Sequence, residues 1–160
     1  MSEKEKIIEF IKRSPKAELH LHIEGTLEPN HLFKLAKKNN IQIPFSNVSE
    51  IKSAYSFSNL ESFLKIFYQG SRVLIKEQDF FDLTWAYAMK CRENNVVHAE
   101  IFFDPQTHVN RGINFDIVIN GIHKALQKAN KEFGLTSKII MCFLRHLDET
   151  SGFKILDQAL

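Results

Sequence analysis

The chain has 160 residues, 44% of them hydrophobic and 25% charged, with a formal net charge of +2. That is the balance of an ordinary globular protein, long enough for one domain with a sizeable core. Charges of both signs are interspersed, so no nucleic-acid or lipid partner is singled out, and no apolar run approaches a membrane span.

Fourteen phenylalanines point to a bulky core. Cys91 and Cys142 are widely spaced in apolar segments. The N-terminus, Met1-Ser-Glu-Lys-Glu-Lys, is charged where a signal peptide would be apolar. The two thiols therefore read as reduced core cysteines of a cytoplasmic protein.

In chain order, a short charged helix is expected over about 3–13 and a first strand over 17–23. Pro29 suits the first turn of a helix running to about residue 39. Residues 41–58 read as irregular, with a short helix over 47–55. Ser58-Asn-Leu-Glu61 has capping-box spacing, and Leu60, Phe63, Leu64 and Phe67 follow at helical period. A helix over about 78–94 carries Phe81, Thr84, Trp85 and Ala88 as buried candidates.

Residues 96–103 form a second strand, ended by Asp104-Pro105, with His108 in the loop beyond. Positions 115, 118, 119, 122, 126, 129 and 133 make one apolar stripe of a helix that Gly134 stops. Residues 138–145 are nearly continuously apolar, as in a strand covered on both faces. A last helix begins near Glu149. Strands alternating with helices predict parallel βαβ units in one α/β domain. Three strands cannot close an eight-stranded barrel, which takes about 250 residues.

The chemistry concentrates at Glu18-Leu-His20-Leu-His22-Ile-Glu24-Gly25. Strand side chains alternate faces, so His20 and His22 project to one side. Neutral imidazoles on one face, at the carboxyl end of a strand, can hold a divalent metal and leave room for water and substrate. Read from these residues alone, a pair satisfied by backbone carbonyls stays open as well. His98, Glu100 and Phe102 share a face of the second strand and read as polar lining. Arg145 and His146 end the third strand and reach the same rim; Arg145 is expected to form a structural ion pair. His31 and His123 fall on helices as surface or packing residues.

Lys16-Ala-Glu-Leu-His20-Leu-His22-Ile-Glu24-Gly25-Thr26 resembles the first-strand motif of the adenosine/adenine deaminase family of metal-dependent amidohydrolases. Asp82-Leu-Thr-Trp85-Ala-Tyr, His98-Ala-Glu-Ile-Phe-Phe-Asp-Pro-Gln-Thr-His108, Val118-Ile-Asn-Gly-Ile-His123 and Cys142-Phe-Leu-Arg145-His146-Leu agree with it in order and spacing. Together they are most similar to the adenine deaminase subgroup, and match only the N-terminal half of the family's pattern.

The resemblance implies a (β/α) barrel of TIM type, of which residues 1–160 supply the N-terminal part: about three βα units plus extra helices. It implies a zinc ion on His20 and His22, with Glu24 and Gly25 at the substrate. It implies hydrolytic deamination of adenine to hypoxanthine and ammonia, by a zinc-activated hydroxide that attacks C6 while an acid protonates the neighbouring ring nitrogen. The family draws its third His ligand, that Glu acid, a water-orienting His and an Asp pair from later strands, so no catalytic acid is assigned here. Glu100 in His98-Ala99-Glu100 lacks the family's intervening glycine and is not that acid.

Where adenosine deaminases carry Asp toward the ribose, this chain has Glu24. Its longer side chain is expected to fill sugar space, which favours the free base, a small purine, over the nucleoside. Adenosine deamination is the alternative within the family. A non-catalytic partial barrel, or one half of an assembly with a complementary C-terminal half, is the alternative of another class. On this reading the 160 residues alone are expected to be inactive and aggregation-prone.

Overall fold

A computed structural model describes all of residues 1–160. Helix α1 (Glu3–Arg13) starts on a reciprocal Ser2–Glu5 capping box and ends on Lys12 and Arg13, so both ends suit the helix dipole. Three parallel strands follow in sequential order: β1 (Lys16–His22), β2 (Val96–Phe103) and β3 (Thr136–Met141). A 3-10 turn (Ile23–Thr26) and four helices connect β1 to β2: α2 (Pro29–Lys38), α3 (Val48–Ala54), α4 (Leu60–Ser71) and α5 (Glu77–Glu93). Helices α6 (Pro105–Val109) and α7 (Phe115–Phe133) connect β2 to β3, and α8 (Glu149–Ala159) comes last. Each new strand is added on the same side of its predecessor. That is the winding of a barrel wall, whereas a doubly wound sheet reverses its order.

The pleat of β2 divides the molecule. Ala99, Ile101 and Phe103 are buried in the core beneath α5 and α7, while His98, Glu100 and Phe102 alternate onto the opposite, half-open face. The register sets His22 beside Phe102 and Phe102 beside Ile140, so this face carries one continuous row across the strands.

Helices α5 and α7 approach closely at Gly121, where a Cβ would lie 2.5 Å from the Glu77 carbonyl oxygen and 2.7 Å from Phe80 Cβ. Both neighbours belong to rigid helix, so the crossing has no soft way to yield. We expect Gly121→Ala to cost about 2–3 kcal/mol, the upper range for overpacking. Urea unfolding would show a lower midpoint at unchanged slope; an unchanged midpoint would mean that the helices slide apart freely.

The structure corrects several expected elements. Phe81 and Trp85 lie only partly buried, stacked together under Lys128, while α5 turns Phe80, Leu83, Thr84 and Tyr87 inward. The α4 cap is Asn59, whose side chain accepts from the Ser62 backbone N–H, and not Ser58. His108 lies in helix α6, where a loop was expected. The third strand starts earlier and ends at Met141; Thr136 and Lys138 are exposed, and none of its residues is fully buried, so it is not covered on both faces. Its apolar continuation, 142–145, leaves the strand and lines a cavity instead.

Candidate metal centre

The carboxyl ends of the strands open into a cavity of about 880 Å³. His20, His22 and Gly25 line it from β1 and its turn, Phe102 and Asp104 from β2, and Cys142, Arg145 and His146 from the segment after β3. Phe63, Leu64, Phe67 and Tyr68 of α4 form its apolar side. The apolar stripe read for α4 thus faces a cavity, with Leu60 outside it on the surface.

His20 and His22 do share one side of β1, with ring centroids 5.9 Å apart. Both stack on Phe102, His20 at 4.5 Å and His22 at 5.4 Å between centroids. The Phe102 ring therefore fixes the planes of two otherwise exposed imidazoles. His22 Nδ1 lies 2.9 Å from Asp104 Oδ2. A carboxylate oxygen accepts, so Nδ1 carries the proton and the Nε2 lone pair is left free, the tautomer a metal requires.

Donor atoms of His22, Asp104 and Cys142 lie within 4.8 Å of one another, a spacing that fits one cation. Burial, then the negative charges of Asp104 and Glu24, push the Cys142 thiol up to about 11. The thiol stays protonated at neutral pH while no cation is bound, and His20, the other imidazole on this side of β1, is not in this group of three donors. Burial also raises the Asp104 carboxyl, with Glu24 adding to the rise and His22 opposing it. Cys142 is thus a cavity wall, whereas Cys91 is the buried core thiol expected.

Glu24 departs from expectation. The strand ends at His22, and the 3-10 turn rotates Glu24 out of the alternation that aligns His20 with His22. Its carboxylate is 1% exposed and accepts at Oε1 from the Asp104 backbone N–H at 2.9 Å and from His108 Nε2 at 3.1 Å. Gly25 lines the main cavity, whereas Glu24 lines a smaller neighbouring pocket together with Gly25, and its Oε2 has no hydrogen-bond partner.

Arg145 forms no ion pair and faces the cavity with His146. His98 sits 2.8 Å from Thr136 Oγ1 and 3.9 Å from Glu100, a polar cluster on the open face away from the strand ends. His31 is half-buried, its pKa lowered chiefly by burial. His123 is exposed. Asp104, which turns His22, was legible only as the end of a strand. Its signal was the position directly after β2, two residues beyond Phe102, the register partner of His22.

The family model described as "Adenosine deaminase" matches residues 15–159. Adenine deaminases of Psychrobacter cryohalolentis and Wolinella succinogenes are each 58% identical, over 96% and 95% of this chain and 46% of their own length. The crystal structure of an adenine deaminase from Arthrobacter aurescens superposes with a TM-score of 0.87 at 44% identity, over 90% of this chain and 44% of that one. An amidohydrolase from Burkholderia ambifaria, solved with bound Zn, shares the fold at a TM-score of 0.82 and 22% identity. The chain therefore spans less than half the length of these relatives, and its three-stranded sheet is a portion of their barrel fold.

Proposed function

The chain belongs to the adenosine deaminase family, and from that premise we propose that residues 1–160 are the N-terminal part of a single (β/α)8 domain that hydrolyses adenine to hypoxanthine and ammonia. The observation that carries this reading is the 58% identity to adenine deaminases across nearly the whole chain, with the paired imidazoles at the cavity mouth.

His20 and His22 are the residues that would hold a zinc ion. A bound zinc supplies a water acidic enough to be deprotonated near neutral pH. Phe102 holds the two rings in plane, and Asp104 keeps the His22 proton on Nδ1. Gly25 presents backbone to the cavity with no side chain in the way, a suitable floor for a flat purine. Helix α4 offers Phe63 and Phe67 as an apolar wall that sheds water from the ring. The remaining metal ligands and the acid come, on this reading, from a C-terminal half that these residues do not include.

No helix is long and apolar enough to cross a membrane. The two unpaired cysteines fit a reducing, cytoplasmic setting.

Adenine and adenosine are told apart by competition. In one preparation of the protein carrying this sequence, we expect ammonia release from adenine with kcat/KM at least about 100-fold above that for adenosine, the order of discrimination when a buried contact is missing or blocked. Equal turnover of both, or preference for adenosine, would replace this reading by nucleoside deamination.

A further inference from the structure

Behind His22 and Asp104, which line the cavity, runs a line of buried groups outside it: Glu24, His108 and Arg111. Arg111, just past α6, donates to the backbone carbonyls of Ser71, Arg72, Leu74 and Thr107 at 3.0–3.1 Å, which fixes its guanidinium against two segments at once. Its Nη2 also lies 2.9 Å from His108 Nδ1. A guanidinium only donates, so His108 Nδ1 must accept and its proton must sit on Nε2. That Nε2–H donates to Glu24 Oε1. The edge-on ring of Phe80, 4.8 Å between centroids, closes His108 in, and its side chain is wholly buried. Glu24 Oε1 in turn accepts the Asp104 backbone N–H, and Asp104 Oδ2 accepts from His22 Nδ1.

The contacts assign the tautomers of both rings, His108 with its proton on Nε2 and His22 with its proton on Nδ1, while Glu24 Oε2 is left buried without a partner. We propose that Arg111, His108 and Glu24 form a positioning relay that fixes the backbone and carboxylate of Asp104, and through it the orientation and tautomer of His22. The inference rests on the reading of His22 as a metal ligand. It assigns Glu24 to a task other than purine recognition and gives His108 and Arg111 roles. A carboxylate behind a ligating imidazole raises its basicity and holds its ring, and losing such a partner characteristically weakens metal binding 10–100-fold. The relay extends that support through three further residues to a guanidinium anchored on backbone.

The test uses the protein carrying this sequence, with zinc affinity read by chelator competition and the His22 ring tautomer read by imidazole 15N shifts in the metal-free protein. We expect Asp104→Ala to weaken zinc binding about 10–100-fold and to release His22 from the Nδ1–H tautomer. His108→Leu should weaken binding about 10-fold, and His108→Gln, whose amide can still donate to Glu24, should restore most of it. If Asp104→Ala does not fold, Asp104→Asn keeps its volume, removes its charge and carries the same expectation at about 10-fold. Folded His108→Leu and Asp104 variants with wild-type zinc affinity and tautomer would overturn the relay, provided His22→Ala loses the metal. If His22→Ala itself binds zinc like the wild type, the ligand reading falls and takes the relay with it.

Discussion

His22→Ala is expected to abolish adenine hydrolysis, lowering kcat by about 10³-fold or more, and His20→Ala to do nearly the same. The argument is one of shared dependence. On the proposed reading, zinc held at this site would supply several kcal/mol of barrier lowering, and about 4 kcal/mol corresponds to roughly 10³ in rate. Removing one of only two imidazoles that β1 presents leaves a site with one ring stacked on Phe102 and a carboxylate, Asp104, without its partner. Neither ring belongs to the core, since His20 is exposed and the His22 side chain is 37% exposed. The variants should therefore fold as the wild type does and fail only in metal content and turnover. A variant with normal metal content and no activity would shift the role of that ring from ligand to substrate contact.

The second large effect concerns stability. Asp79, 0% exposed at the start of α5, accepts from Lys38 Nζ at 2.8 Å and Asn39 Nδ2 at 2.7 Å. It also accepts from the backbone N–H groups of Lys76 at 2.9 Å and Ile75 at 3.1 Å. One carboxylate thus joins the end of α2 to the first turn of α5 and caps orphan donors there. Burial alone would raise its pKa, but the hydrogen bonds from Lys38, Lys76, Ile75 and Asn39 outweigh it and hold the carboxyl below its usual value of 3.8. A depressed carboxylate pKa adds stability above the unfolded-state value, and that stability is lost as pH falls through the folded value.

We expect Asp79→Ala to cost about 3 kcal/mol at neutral pH, because it strands buried donors along with one charge. The gap from wild type should narrow below about pH 4, as wild-type Asp79 takes up its proton. Lys38, raised above 10.5 first by its hydrogen bond to Asp79, loses its share at the other end, as pH climbs past that value. Chemical denaturation of both proteins from pH 3 to 8 reads the gap. A gap that widens toward acid would contradict the sign.

Much of this architecture is readable from residues alone because its strongest signals are local. The 3.6-residue stripe from Phe115 to Phe133 and its left-handed Gly134 stop, with φ of 76°, coincide with the observed helix. The period-2 pattern of Val96–Phe103 coincides with the observed strand. The shared side of His20 and His22 follows from the same alternation. What escaped lies where alternation ends. The rule that puts residues 20, 22 and 24 on one face holds only while the backbone is extended, and it stops at His22. A tight turn then carries Glu24 inward to His108, a partner 84 residues away that no local pattern announces.

The stretch 142–145 misled for a related reason. An apolar run satisfies a cavity wall as well as a covered strand, and periodicity does not tell them apart. On α5, Thr84 and Ala88 are buried as expected, whereas Phe81 and Trp85 are only half-buried, stacked on each other with the Lys128 ammonium over both rings and Trp85 packed at the edge of the core.

The most direct measurement of the central claim pairs metal content with adenine hydrolysis in the wild type and in His22→Ala, on the same preparations of the protein carrying this sequence. The account predicts about one zinc per chain and steady ammonia release from adenine in the wild type, with both lost together in His22→Ala. A His22→Ala protein that keeps its metal and hydrolyses adenine at the wild-type rate would contradict it.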